Sequence, residues 1–218
     1  PPVRGDIGIV WTPESQFHCY AQQHSADYYA KSAQGAYQGF FDNNIQPDFV
    51  HVGDIDQYRL LYLPYPVMLT VATAARLKEW VRAGGTLISE GCPGYFGDRG
   101  KVGQTQPHNG LAELFGCNES YVEFTPDLLG ELSFSVHEMA VRGGLFLQCY
   151  EPTTGRAVGH YADGRVAAVE HTYGRGRTRL VGSMAGWGYA THPRERSASF
   201  FADALRFAGK DQQVWCSE

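Results

Sequence analysis

Apolar and polar positions between residues 54 and 89 follow the order of a strand, a helix and a second strand. Residues 60–63 are apolar without interruption, which is typical of a strand that is covered on both faces. One face of the following helix is formed by Ala74, Leu77, Trp80 and Val81. A Gly-Gly pair at 84–85 ends that helix and leads into the apolar run 86–89. The pattern predicts a parallel unit, and it places loop 90–94 at the carboxyl end of a strand, where open α/β sheets bind ligands.

The amino-terminal part of the chain has the same order of elements. Residues 6–11 are predicted to form a strand, residues 12–23 a loop, residues 26–42 a helix and residues 49–52 a second strand. The helix face is formed by Tyr29, Ala33, Ala36, Tyr37 and Phe40. Two successive strand–helix–strand units predict an α/β fold with a doubly wound parallel sheet.

The pattern changes in the second half of the chain. Short β-rich segments separated by glycine turns predict an antiparallel β insertion over about residues 119–172. Residues 177–182 are then expected to return to the main sheet, and residues 194–207 to form a last helix. The whole chain, residues 1–218, is interpreted as a single domain that carries this insertion.

Composition excludes several classes of function. Hydrophobic residues make up 43% of the chain and charged residues 19%, which is enough to build a core. A net charge of −5 and the lack of a long basic run argue against a nucleic-acid partner. No apolar run approaches the roughly 18–20 residues that span a bilayer, so no membrane partner is expected. Five cysteines without a Cys-x-x-Cys motif argue against a zinc ribbon, and free thiols favour a reducing, cytoplasmic location.

Neither the histidines nor the acidic residues form a recognisable site. The histidines are His18, His24, His51, His108, His137, His160, His171 and His192, and none is paired at a spacing typical of metal ligands. The acidic residues near predicted loops are Glu14, Glu90, Asp98, Glu113 and Glu123. Their spacing selects no carboxylate pair, so we expect solvated loop acids and cap residues. No metal and no cofactor are predicted.

Cys92 follows a predicted strand directly, where a thiol could act as a nucleophile. His192 could serve as its base and Glu195 could orient the imidazole. The order Cys, His, Glu resembles that of class I glutamine amidotransferases. Glu90 and Pro93 depart from that family's pattern around the nucleophile and favour a non-catalytic form of the fold.

Aromatic residues cluster near the predicted strand ends: Tyr65, Tyr95, Phe96, Trp187 and Tyr189. Aromatic rings among glycines can stack on a sugar or bury a protein partner. These five residues are therefore candidates for the rim of a substrate or partner site.

Four motifs in a fixed order resemble one known family. They are Asp-x-Asp-x-Tyr at 54–58, Ala-Gly-Gly-Thr-Leu at 83–87, Leu-x-x-Leu-Phe-Gly at 111–116 and Tyr-Gly-Arg-Gly-Arg-Thr at 173–178. Together they are similar to the trimerisation domain of family 42 β-galactosidases, from residue 8 to about residue 208. The resemblance implies a flavodoxin-like, class I glutamine amidotransferase-like fold without amidotransferase catalysis.

The resemblance also implies a division of labour within a larger enzyme. In that family a (β/α)₈ barrel carries both catalytic carboxylates, so no catalytic residue is expected on this chain. The implied partners are further copies of the chain, in a trimer, and the barrel of the parent enzyme. We interpret the chain, with its Pro1-Pro2 start, as a piece of a bacterial β-galactosidase-like glycoside hydrolase.

Two alternatives to an assembly domain remain open at this point. The first is an independent Cys–His hydrolase of the amidotransferase-like type, which would use Cys92, His192 and Glu195. The second is a carbohydrate- or partner-binding module that would use the aromatic loops at the strand ends.

Overall fold

The computed structural model describes residues 4–124, 132–192 and 197–210. The strands are β1 (Ile7–Trp11), β2 (Pro47–His51), β3 (Leu60–Leu63), β4 (Thr86–Ser89), β5 (Cys117–Glu123), β6 (Ser133–Val136), β7 (Met139–Arg142), β8 (Leu147–Pro152), β9 (Arg156–His160), β10 (Val166–Tyr173) and β11 (Gly176–Val181). The helices are α1 (Pro13–Gln23), α2 (Asp27–Phe41), α3 (Val71–Arg82), α4 (Leu111–Phe115), α5 (Ala185–Thr191) and α6 (Ala198–Phe207).

A seven-stranded sheet in the order β2-β1-β3-β4-β11-β10-β9 forms the centre of the molecule. The strands from β2 to β11 run parallel, and β10 and β9 continue the sheet in antiparallel orientation. The predicted α/β class with a mostly parallel sheet is therefore confirmed. Two further ladders, β5–β8 and β6–β7, lie outside this sheet.

Helices cover both faces of the parallel strands, as their uninterrupted apolar sequence predicts. All four residues of β3 and all four of β4 are buried. Ile9 and Tyr62 belong to a core shared with α2, α5 and α6, whereas Leu61 and Leu87 belong to a core shared with α3 and α4. Alternate residues of a strand point to opposite faces, so each strand contributes to both cores.

Two helices, α1 and α5, were not predicted from the sequence. The predicted loop at 12–23 is wrong, because residues 13–23 form α1 with Pro13 at its first turn and His24 in the left-handed conformation at its end. Its buried side chains include only Ser15 and Cys19, so its apolar period is too weak to detect. Helix α5 was also missed, since its buried face consists largely of small residues. The last helix begins at Ala198, and residues 193–196 lie outside the described residues.

Helices α2 and α5 pack closely because glycines face each other. A Cβ atom added at Gly35 would lie 1.8 Å from the carbonyl oxygen of Gly186. A Cβ atom added at Gly186 would lie 2.2 Å from the carbonyl oxygen of Ser32. Any side chain at either position would force the two helices apart.

A buried ion cluster attaches α6 to the sheet. Arg179 on β11 is only 2% exposed. Its Nε and Nη2 atoms donate to Glu170 Oε1 at 2.9 and 2.7 Å, and its Nη1 atom donates to Asp203 Oδ2 at 2.8 Å. His137 Nε2 lies 3.0 Å from the same Glu170 oxygen. Burial opposes ionisation of Glu170, but the charge of Arg179 and the hydrogen bonds from His137 and Arg179 outweigh it and lower the pKa of this carboxyl below its ordinary value.

Within the described ranges, none of the helices combines the length and apolar character needed to cross a bilayer.

The lowered pKa of Glu170 predicts a pH-dependent stability. The unfolded chain binds this proton more tightly than the folded chain does. The stabilisation is therefore complete above the ordinary pKa of about 4.5 and is lost as the pH falls through the lower folded value. Urea midpoints measured between about pH 6 and about pH 3 should fall less steeply for Glu170→Gln than for the parent chain. Equal slopes for the two proteins would contradict this account.

Candidate functional site at the carboxyl ends of the parallel strands

A buried carboxylate lies where β4 ends. The side chain of Glu90 is 0% exposed and faces four hydrogen-bond donors. Its Oε1 atom accepts from the Tyr62 hydroxyl at 2.8 Å and from the Gly186 backbone N–H at 2.6 Å. Its Oε2 atom accepts from the Tyr65 backbone N–H at 2.8 Å and from the Ser32 hydroxyl. One side chain thus joins β3, β4, α2 and α5.

The interpretation of Glu90 as a solvated loop acid is therefore wrong. Burial raises the pKa of its carboxyl, and the hydrogen bonds from Ser32, Tyr65, Gly186 and Tyr62 act in the opposite direction. The donors come from distant parts of the chain, so no local pattern reveals them. Glu90 has the features of a structural hub and not those of an exposed acid or base.

The other four acids of the predicted set have separate partners. Glu14 accepts from the Thr73 hydroxyl, Asp98 from the Val71 backbone N–H, Glu113 from Lys78 Nζ and Glu123 from the Tyr121 hydroxyl. Asp98 thus contacts the first turn of α3, which fits the expected role of a cap residue. These contacts lie in different elements, and they agree with local structural roles for the four side chains.

Replacement of Glu90 by Gln should destabilise the chain markedly. Each carboxylate oxygen accepts from one backbone N–H, so either orientation of the amide turns its NH₂ group toward a backbone donor that cannot rotate away. We expect a loss of about 3 kcal/mol, since buried donors remain unsatisfied. For a chain of this length the melting temperature should fall by roughly 6–12 °C.

Calorimetry of Glu90→Gln and of Glu79→Gln provides the comparison. Glu79 lies on the exposed face of α3, so the same chemical change there should leave the melting temperature within about 2 °C of the parent. A Glu90→Gln protein as stable as the Glu79→Gln control would refute the hub role.

The backbone takes an unusual conformation after β3 and after β4. Tyr65 has φ of 41° and Cys92 has φ of 57°, a region that L-residues rarely adopt. Hydrogen bonds hold both residues in place. The Tyr65 N–H donates to Glu90, and the Cys92 N–H donates to Gln148 Oε1 at 2.7 Å. Two side-chain acceptors therefore stabilise the two strained turns.

The predicted nucleophile, the thiol of Cys92, is buried. Cys92 is 1% exposed, and burial together with the nearby Glu119 carboxylate raises the pKa of its thiol well above the ordinary value. Catalytic cysteines require the opposite, a lowered pKa and access to solvent. Cys92 thus has the properties of an inert core thiol.

The structure does not bring the predicted base to the thiol. His192 Nδ1 lies 3.0 Å from the Thr191 hydroxyl, and the His192 ring lies 6.0 Å from that of Trp187. Within the part of the chain that the structure describes, Cys92 and His192 share no hydrogen bond. Glu195 lies outside the described residues. These features disfavour a Cys–His–Glu mechanism.

Two of the five candidate rim aromatics belong to the core. Tyr65 and Tyr189 are each 1% exposed. The Tyr65 ring packs at 6.3 Å from Tyr29, and the Tyr189 hydroxyl donates to Asp42 Oδ2 at 2.8 Å. Neither ring presents a face to solvent, so neither can stack on a sugar in this conformation.

The other three candidates are partly exposed. Tyr95 and Phe96 contact each other with ring centroids 5.4 Å apart, and the His18 ring packs 4.3 Å from Phe96. Trp187, on α5, packs on the same buried cluster as Cys92 and Met184. These aromatic rings border the carboxyl end of the sheet above the sealed thiol.

Comparison with known proteins then identifies the family. Residues 5–206 match the family described as the β-galactosidase trimerisation domain. This chain belongs to that family. No match is found among curated protein sequences.

Solved structures similar to this trimerisation domain include whole β-galactosidases. The GH42 β-galactosidase Gan42B matches with a TM-score of 0.79 at 18% identity, over 98% of this chain and 31% of that one. The β-galactosidase of the Antarctic haloarchaeon Halorubrum lacusprofundi matches with a TM-score of 0.76 at 24% identity, over 95% of this chain and 31% of that one. The chain thus spans about a third of the length of these enzymes, and at such identities the likeness shows the shared fold.

Sequence reasoning missed one side chain that organises this end of the trimerisation domain. Gln148 is 0% exposed, accepts at Oε1 from Cys92 N–H and from the Tyr150 hydroxyl, and donates from Nε2 to Glu119. A signal was present, since Gln148 is the polar residue within the apolar run 145–150. Such a residue must find buried partners. Within the described ranges, no cluster of His, Cys, Asp and Glu could hold a metal ion.

The sealed thiol should react slowly with an alkylating reagent. Incubation of the native trimerisation domain with iodoacetamide at about pH 7.5, followed by peptide mass mapping, should label Cys92 at least about tenfold more slowly than free glutathione. Labelling in urea should remove the difference, because burial is its cause. Rapid and selective alkylation of Cys92 in the native protein would show an activated nucleophile and would restore the hydrolase hypothesis.

Proposed function

We propose that this chain is a non-catalytic assembly domain of a β-galactosidase-like glycoside hydrolase, and that it forms a homotrimer. The observation that carries the proposal is the family match over residues 5–206. The chemistry of the strand ends supports it, because Glu90 serves as a buried hydrogen-bond hub and the thiol of Cys92 is sealed from solvent.

The reaction itself would take place on another part of the parent enzyme. Similar solved structures are β-galactosidases of which this chain spans 31%, which leaves room for a catalytic (β/α)₈ barrel in the parent protein. The proposed partners are that barrel and further copies of the chain. Neither nucleic acid nor a membrane is part of the proposal, and the buried free cysteines among the described residues support a cytoplasmic location.

The proposal extends to the architecture of the domain. Residues 1–218 form one domain of flavodoxin-like, class I glutamine amidotransferase-like type, with a β-rich insertion at about 119–172. The strand order β2-β1-β3-β4 supports the flavodoxin-like assignment. Tyr95, Phe96 and Trp187 would contribute to a substrate or partner rim, since their rings are partly exposed near the strand ends.

Two measurements on the purified chain test the function. Light scattering coupled to size exclusion should give three times the chain mass of 24.1 kDa. Hydrolysis of a nitrophenyl galactoside by the same sample should not exceed the buffer blank, since the catalytic carboxylates are proposed to lie on the barrel. A monomer at high concentration would contradict the assembly role, and measurable turnover would contradict the non-catalytic one.

A further inference from the structure

Four exposed aromatic side chains form a continuous band along the β2 edge of the sheet. They are Trp11, Tyr37, Phe41 and Phe49, with exposures of 37, 37, 62 and 50%. Ring centroids are 6.4 Å apart for Trp11 and Phe49, 5.8 Å for Phe49 and Tyr37, and 6.2 Å for Tyr37 and Phe41. We call these four residues the edge aromatic band. It extends from the end of β1 across β2 to the end of α2.

The band borders a groove without charged lining residues. The groove has a volume of about 290 Å³, and its lining includes Trp11, Tyr37 and Phe49 of the band and the uncharged polar side chains of Gln16 and Gln34. Apolar patches of this kind on a folded domain mark protein contacts. The mixture of aromatic rings with uncharged polar side chains is typical of the core of a protein interface.

The surrounding sequence is also poor in charge. Residues 7–51, from β1 through β2, include five charged side chains, Glu14, Asp27, Lys31, Asp42 and Asp48, whereas charged residues make up 19% of the whole chain. Helix α1 adds two more exposed aromatics, Phe17 and Tyr20, at 71 and 56% exposure. A surface left to solvent would normally carry more charge, so the depletion indicates that this region is covered.

The position at a sheet edge strengthens the argument. Strand β2 is the last strand on its side of the sheet and pairs only with β1 within the described residues. Exposed edges in soluble proteins are usually protected by charges, by a bulge or by a covering element. The exposed residues of β2 are Phe49 and His51, so an aromatic ring stands on this edge strand beside one polar residue.

From these observations we propose that the edge aromatic band is an oligomer interface, covered by a second copy of this chain. The inference rests on the proposed assembly function and specifies its contact surface. Domains of a single chain usually meet through relatively polar interfaces, whereas homo-oligomer interfaces are more apolar. The charge-poor aromatic band therefore fits another copy better than the attached barrel.

Trimer symmetry adds a geometric requirement. A closed ring of three copies uses heterologous contacts, in which the patch of one copy meets a different surface of the next. The band of one copy therefore contacts residues outside the band on its neighbour. A twofold dimer would instead place band against band.

Paired substitutions test the location of the interface. The double variant Tyr37→Gln/Phe49→Thr removes two central rings, and Tyr121→Thr removes a comparably exposed ring, at 45%, from β5 as a control. With circular dichroism spectra like that of the parent, the double variant should dissociate to monomers at concentrations at least tenfold higher than the parent or the control. A double variant as strongly trimeric as the parent would overturn the interface while leaving the assembly function intact. A monomeric parent would overturn both.

Photo-crosslinking keeps the test decisive if the double variant fails to fold. Benzoylphenylalanine in place of Phe41, which is 62% exposed, preserves an aromatic ring at an accessible position. Irradiation of the purified chain should give an adduct of twice 24.1 kDa, and mass mapping should join residue 41 to a peptide outside the band. The absence of an intermolecular adduct, or a crosslink from residue 41 to residue 41, would refute the proposed arrangement.

Discussion

The whole carboxyl end of the sheet depends on the burial of one carboxyl group, that of Glu90. Glu90 accepts four hydrogen bonds, and each of its oxygens receives one from a backbone N–H. A carboxylate without such partners would be too costly to bury. The donors must therefore converge, which fixes where α2 and α5 meet the ends of β3 and β4. Gly186 contributes to this arrangement in two ways. Its backbone N–H donates to Glu90, and its lack of a side chain allows the close contact between α5 and α2.

This hub explains why the strand ends of an α/β sheet can lack catalytic chemistry. The loop that follows β4 could have exposed a thiol. Instead the Cys92 N–H is bonded to Gln148, and the side chain is packed with Met184 and Tyr65 in an apolar cluster. Burial raises the pKa of the thiol, so the position is occupied by an unreactive group. The α/β sheet is thus kept, but packed apolar side chains occupy the position at the strand ends where such sheets often bind ligands.

The parallel core could be predicted from sequence because its signals are local. The apolar run of β3 and the helical period of α3 lie in adjacent segments, and the glycine pair at 84–85 separates α3 from β4. The site could not be predicted, because Ser32, Glu90 and Gly186 meet across long stretches of chain. Helix α1 was missed for a different reason. Its exposed aromatics Phe17 and Tyr20 hide the usual contrast between an apolar and a polar face.

The two edges of the central sheet differ in a way that bears on polymerisation. The β2 edge pairs only with β1 among the described residues, and it presents Phe49. The opposite edge, β9, is covered by the β6–β7 hairpin: the His137 N–H donates to the Val158 carbonyl oxygen, and the His160 N–H donates to the Ser135 hydroxyl at 3.1 Å. A covered edge leaves fewer backbone groups with which another strand could pair. The asymmetry therefore disfavours strand-by-strand growth of sheets joined edge to edge into an open fibre.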